Sequence, residues 1–152
     1  MLCGDYVDGL RDATHDCAIS TVGYGRGWSN EVPNYPWHPG RRALKGVATA
    51  VPGDAVYKYG ATTRFTKGKV ALVHYTPKGT AYRDVVLLRG DGDERTPWVA
   101  KGDSGSVTVR QSDDRVIALN FAGSNQAVID DPPKDLPAYP AYYRSFAYDI
   151  QS

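Results

Sequence analysis

One serine stands where its neighbours could make it reactive. Ser104 lies in Gly-Asp-Ser-Gly-Ser, residues 102–106, and an alternating apolar run follows it. A serine hydroxyl is a weak nucleophile unless an adjacent base takes its proton. Gly102 and Gly105 let the chain turn tightly and let another molecule approach with no Cβ in the way. The plainer reading is an ordinary turn, because Asp, Ser and Gly favour turns whatever their chemistry. Three histidines are available as a base: His15, His38 and His74. His38 sits in Pro-Trp-His-Pro-Gly, a proline-bounded loop, and is expected at the surface or in packing. His74 shares one face of a strand-like run with Val70 and Leu72, so a partly buried strand histidine is expected.

Other groups read more simply. Residues 89–94, Arg-Gly-Asp-Gly-Asp-Glu, gather three acids, but they lack the length and ligand order of a calcium loop, so a solvated turn and no metal site is expected. Residues 39–46 form a small basic patch without an aromatic platform, which reads as a solvated linker rather than a nucleic-acid site. Cys3 and Cys17 match no common zinc or redox spacing and read as reduced thiols.

The elements that must position these residues are short strands. A chain of 152 residues bounds the protein to one domain or one compact part of a larger one. Its 16 glycines and 10 prolines suit many turns, and 41% hydrophobic residues suffice for a core. The net charge of +1 gives no global field toward nucleic acid or anionic membrane. No apolar run approaches a membrane-spanning length. The first residues carry acids and glycine where a signal peptide needs a basic and then an apolar stretch, which favours a cytoplasmic location. Residues 16–25 read as a buried strand ending at glycines. Residues 28–46, rich in Pro, Gly and Asn, read as a long connection. Strands then follow at 55–60, 62–66 and 69–76, the last two flanking a Lys67-Gly68 turn. Further strands are expected at 81–89, at 105–111 and 115–123 with a turn at 112–114, and at 142–150, where an aromatic-dense stretch closes the sheet. No segment shows a long helical period, so the fold class is all-β, a barrel or a sandwich.

Residues 102–106 and their surroundings resemble the nucleophile segment of the trypsin-like serine peptidases, the two-barrel chymotrypsin fold. Residues 56–70 resemble the first hairpin of the second barrel in bacterial and fungal members, Lys-x-Gly-x-Thr-Thr-Gly-x-Thr-x-Gly-x-Val. Arg64 stands where that pattern usually has glycine. Residues 115–124 resemble the strand that pairs with substrate backbone, and residues 15–20 the strand that carries the triad aspartate. The resemblance implies an antiparallel Greek-key barrel: residues 48–152 as the C-terminal barrel, residues 1–47 as a remnant of the first barrel and the connection. It implies Ser104 as nucleophile, Asp16 as the acid that orients a histidine, and the Gly102 and Ser104 N–H groups as the oxyanion hole. Phe121, Ala122 and Gly123 would pair with a polypeptide substrate by strand addition. Asp103 would be buried beneath the turn and would need a cationic partner that the sequence does not name. Six residues before the nucleophile, where trypsin has its specificity acid, stands Trp98, which implies a pocket that is apolar or partly filled by the indole. The chemistry needs no cofactor.

The family's chain order is His, Asp, Ser. Only His15 precedes Asp16, and neighbours on a strand point to opposite faces, so His15 cannot meet the Asp16 carboxylate. Two-barrel all-β domains run ~200–250 residues, and this chain is short of that by about the barrel that would carry the histidine. Three explanations are open: an incomplete or truncated enzyme with an upstream segment, a separate chain that supplies the histidine, or a protein that has lost catalysis. Loss of one triad member costs on the order of 10⁶ in turnover, so the chain alone is expected to be almost inert. The rival expectation is a catalytically inactive peptide-binding module. Use of His74 as the base would require it within hydrogen-bonding distance of Ser104.

Overall fold

The computed structural model describes residues 6–11, 16–20, 29–33, 41–91, 98–124, 141–142 and 144–150. Among them the chain forms twelve strands and no helix: β1 (Tyr6–Arg11), β2 (Asp16–Ser20), β3 (Glu31–Pro33), β4 (Arg41–Ala43), β5 (Ala55–Gly60), β6 (Arg64–Tyr75), β7 (Val85–Gly90), β8 (Val99–Ala100), β9 (Val107–Arg110), β10 (Val116–Ser124), β11 (Ala141–Tyr142) and β12 (Arg144–Asp149). Six of them close into an antiparallel barrel in the order β10-β12-β7-β6-β5-β9. β5, β6 and β7 run as a meander. β9 then returns to pair with β5, and β12 seals the ring between β10 and β7. The remaining strands pair in twos, β1 with β2, β3 with β4 and β8 with β11.

Side-chain alternation decides what each strand buries. Val56, Val70, Val86, Leu88, Ile117 and Ala147 point inward and form the barrel core with Trp98. The run Val85 to Leu88 is buried at all four positions. An unbroken apolar run means that both faces are covered. The outer face of β7 packs Val85 and Leu87 against Phe146, Tyr148, Tyr75, Tyr82 and Phe121.

The connection before the barrel is more ordered than its composition suggests. β3 and β4 pair, and the segment is tied to the barrel at one carboxylate. Asp114, 8% exposed, takes the Arg42 guanidinium at 2.7 Å, the Lys45 ammonium at 3.4 Å and the Tyr57 hydroxyl at 3.2 Å. Burial, then the Asp114 charge, push the Tyr57 phenol up to about 12. Backbone bonds from Lys45 to Asp114 and between Gly46, Ala48 and Val116 complete the joint.

Three local expectations need correction. Lys67-Gly68 is not a turn: β6 runs through it, and the chain reverses at residues 61–63. Gly68 serves packing, because a Cβ there would strike the Arg89 carbonyl oxygen and touch the Trp98 ring at 3.0 Å. The strand expected at 81–89 begins at Val85, and Tyr82 lies in the loop before it. His74 is not partly buried. Register shifts between Val70, Leu72 and Tyr75, with a left-handed φ of 51° at His74, turn its ring to solvent, where Nδ1 meets Asp84 Oδ1 at 2.7 Å. Arg64 adopts the glycine-like conformation of the position it occupies, with φ of 58°.

Candidate active site

The turn that carries Ser104 is shaped by its glycines. Gly102 has φ of 100° and Gly105 φ of 85°, a region that side chains rarely adopt. A Cβ on Gly102 would also come within 2.7 Å of Thr62 Oγ1, whose hydroxyl donates to the Lys101 carbonyl at 2.8 Å. The Asp103 N–H donates to Ala100, the Ser106 N–H to Asp103 and the Gly105 N–H to Asn120, all within 2.8–3.0 Å. Among the described residues, neither the Gly102 N–H nor the Ser104 N–H donates a hydrogen bond. Gly102 and Ser104 thus leave two backbone donors beside one exposed serine.

Beneath the turn lies the cation that the sequence left unnamed. Asp103 is 2% exposed, and Lys58 of β5 is fully buried in the barrel interior. The Lys58 ammonium donates to Asp103 Oδ2 at 3.2 Å and to Thr63 Oγ1 at 2.7 Å, and the Thr63 hydroxyl donates to Oδ2 at 2.6 Å. N–H groups of Thr62, Thr63 and Ala100 complete the carboxylate's shell at 2.8–3.2 Å. Gly60 leaves room for it, since a Cβ there would collide with the carboxyl group. Burial pushes the Asp103 carboxyl up, but the Thr63 hydroxyl, the Thr62 and Ala100 N–H groups and the Lys58 charge together hold it at about 2. Burial lowers the Lys58 ammonium, and the Asp103 charge opposes that shift. The ammonium also lies 5.4 Å above the Trp98 ring, a cation–π distance.

A second buried network fixes the turn from behind. The Trp98 indole donates to Ser145 Oγ at 2.8 Å, and Ser145 donates to Asn120 Oδ1 at 2.6 Å. The Asn120 amide donates to Thr108 Oγ1 at 2.8 Å and to the Ser106 carbonyl at 2.9 Å. Every buried side-chain polar atom among the described residues has a partner, so the network holds one geometry rather than several. Trp98 is thus a core residue under the turn, fully buried, while its neighbours Val99 and Ala100 line the cleft.

The cleft beside Ser104 is small, about 20 Å³, with residues 99–100 on one side and 120–123 on the other. Ser104 Oγ donates to the Phe121 carbonyl at 3.1 Å. The β9–β10 ladder ends at Leu119 opposite Val107, whereas Ala122 and Gly123 still pair with Phe146 and Ser145 of β12. Residues 121–123 therefore keep one backbone edge without a β9 partner, the edge a further strand could use. The Phe121 ring is fixed on the outer face, stacked on Tyr148 at 4.1 Å and edge-on to Tyr82 at 4.7 Å.

No histidine is among the hydrogen-bond partners of Ser104 within the described residues. His74 is bonded to Asp84 instead. His15, His38, Cys3 and most of the acidic turn after Asp91 lie outside the described residues, and of Asp16 only the backbone in β2 is described, opposite Arg11. Among the described residues, no three His, Cys, Asp or Glu side chains gather as a metal site would require. Sequence reasoning missed Lys58 and the Asn120–Ser145 pair. An inward-facing lysine in the alternation of residues 55–60 was the available signal for the first.

No protein-family model matches the chain, and no curated protein matches it in sequence. Solved structures do match. The chymotrypsin of Cellulomonas bogoriensis aligns with a TM-score of 0.67 at 20% identity, over 97% of this chain and 68% of that one. A glutamic acid specific serine protease, described as using a histidine triad in substrate binding, aligns with a TM-score of 0.70 at 20% identity, over 98% and 68%. The Nocardiopsis protease NAPase aligns with a TM-score of 0.68 at 17% identity, over 97% and 67%. The closed antiparallel barrel, with Ser104 on a glycine turn at its edge, is that of the chymotrypsin-like serine proteases, and the chain has their fold.

Proposed function

We propose that this chain is a serine endopeptidase unit in which Ser104 attacks the substrate's peptide carbonyl. One observation carries the reading: an exposed serine beside two undonated N–H groups, on a turn held from below by a buried carboxylate. The Ser104 hydroxyl loses its proton to a base as Oγ bonds to the carbonyl carbon. The Gly102 and Ser104 N–H groups take the charge on the oxygen. The C–N bond then breaks, the base returns the proton to the leaving amine, and water hydrolyses the acyl-enzyme. Residues 121–123 pair with the substrate backbone.

The base is a histidine supplied by an upstream segment or by a separate polypeptide, with Asp16 orienting it. Residues 48–152 act as the catalytic barrel and residues 1–47 as the remnant of its companion. The cleft volume of about 20 Å³ supports small side chains at the cleavage site. A second reading, a peptide-binding module without hydrolysis, is favoured by the bond from Ser104 Oγ to the Phe121 carbonyl, which occupies the hydroxyl with no base bonded to it among the described residues.

A fluorophosphonate probe applied to the chain and to Ser104→Ala separates the two. Labelling of the wild type that vanishes in the variant supports the peptidase. An unlabelled wild type, also after incubation with candidate partner polypeptides, overturns it in favour of the binding module.

A further inference from the structure

Two parallel rows cross four strands on the outer face of the barrel. In one, Ala122, Phe146, Leu87 and Leu72 are register partners in turn across β10, β12, β7 and β6. In the next, Ser124, Arg144, Arg89 and Lys69 follow one another across the same strands. Directly opposed residues share a face, so three cations stand side by side. Like charges placed opposite each other destabilise a sheet. Lys69 has the exposed Asp91 at 3.7 Å, and Arg144 is itself engaged. Arg89 is exposed and makes no ion pair among the described residues.

The cation row borders a groove of about 580 Å³, whose floor includes Leu72, Tyr75 and Leu87. That volume falls within the roughly 300–1,000 Å³ of ligand-binding clefts. Leu72 is 39% exposed, unusual for a large apolar side chain at mid-strand. With a net charge of only +1, the basic stripe is a local feature and not the edge of a general field. At an interstrand spacing of about 4.8 Å, the two steps from Lys69 to Arg144 span roughly 10 Å, the reach of about three extended residues.

We infer that this groove docks an acidic polypeptide segment of about three residues, with a carboxylate on Arg89 in the Lys69–Arg89–Arg144 row and an apolar side chain on the exposed Leu72. Three cations beside an apolar floor fit alternating acidic and apolar side chains better than a uniform phosphate backbone. The apolar row begins at Ala122, on the edge beside Ser104, so one polypeptide can occupy both places. That continuity rests on the proposed function, whereas the docking itself does not.

The test uses the full chain with Ser104→Ala, so that no turnover enters the result. The probe is fluorescein-labelled Glu-Leu-Glu-Phe-Glu-Leu, followed by anisotropy at low salt, with Gln-Leu-Gln-Phe-Gln-Leu as its neutral counterpart. The acidic peptide is expected to bind and the neutral one to bind far more weakly. Arg89→Glu should weaken binding by about tenfold, and added salt should weaken it further. Arg89→Gln should give a smaller loss with an unchanged or raised thermal midpoint, because it relieves the opposed charges. Equal binding of the two peptides, or no effect of Arg89→Glu in a folded variant, would overturn the inference. A single-stranded oligonucleotide that binds as tightly as the peptide and with the same dependence on Arg89 would overturn the choice of a polypeptide. Neither outcome depends on Ser104 chemistry, so failure here and failure of the peptidase reading remain distinct.

Discussion

Lys58→Met removes the only charged partner that the buried Asp103 has among the described residues. Methionine keeps the length and the apolar stem, so the change isolates the ammonium. Breaking a buried pair from one side costs about 3–5 kcal/mol, because the other charge stays desolvated. Asp103 keeps the Thr63 hydroxyl and three N–H donors, which places the expected loss near the lower end, about 3 kcal/mol. With a urea m-value of about 2 kcal/mol per M, the unfolding midpoint should fall by about 1.5 M at constant m. A second result concerns the carboxyl itself, which the Thr63 hydrogen bond and the Lys58 charge both hold low. By NMR titration, the carboxyl should therefore rise in Thr63→Val and also in Lys58→Met. A midpoint loss below about 0.5 M, or a carboxyl unmoved in either variant, would refute this account of how the turn is held.

Two further outcomes follow from the same geometry. The Asp103 carboxyl is depressed from 3.8 to about 2 on folding. Its contribution is present above pH 4 and is lost as pH falls through about 2, roughly 2 kcal/mol in all. Urea unfolding at pH 5, 4, 3 and 2 should show that fall in the wild type and less of it in Thr63→Val; parallel profiles would contradict it. Arg64→Gly should raise stability by about 0.5–1 kcal/mol, since the φ of 58° strains any side chain but not glycine. An unchanged or lower midpoint in thermal unfolding would mean that the arginine side chain offsets its backbone strain.

What the sequence disclosed was local. Residues 102–106 announced a tight glycine turn, and the turn is there. The hairpin across residues 112–114 follows from turn residues between two alternating runs. The run at 85–88, apolar without a break, asked for cover on both faces and has it. What the sequence hid depends on partners far along the chain. Lys58 and Asp103 are 45 residues apart, and Trp98 and Ser145 are 47 apart. No periodicity names such pairs. Gly68 misled for a related reason: glycine marks a turn and a close backbone approach with the same letter, and only the Arg89 carbonyl and the Trp98 ring tell them apart. His74 kept the strand alternation in sequence but lost it to two register shifts.

The supports of the turn bear on how its chemistry is divided. In a serine peptidase, activation of the hydroxyl and reception of the oxyanion are separate contributions, and the second persists when a triad member is removed. In the proposed reading the second comes entirely from one barrel. Asp103 and Lys58 hold the turn from the interior, Asn120 and Ser145 hold it from the adjoining strands, and the Gly102 and Ser104 N–H groups donate no bond within it. None of those contacts passes through a histidine. A barrel of this kind can fold with its nucleophile and its donors already placed and take its base from elsewhere. The same independence lets the turn and the free strand edge serve peptide binding alone. Both readings of the chain thus rest on the same buried ion pair, which makes Lys58 and Asp103 decisive for either one.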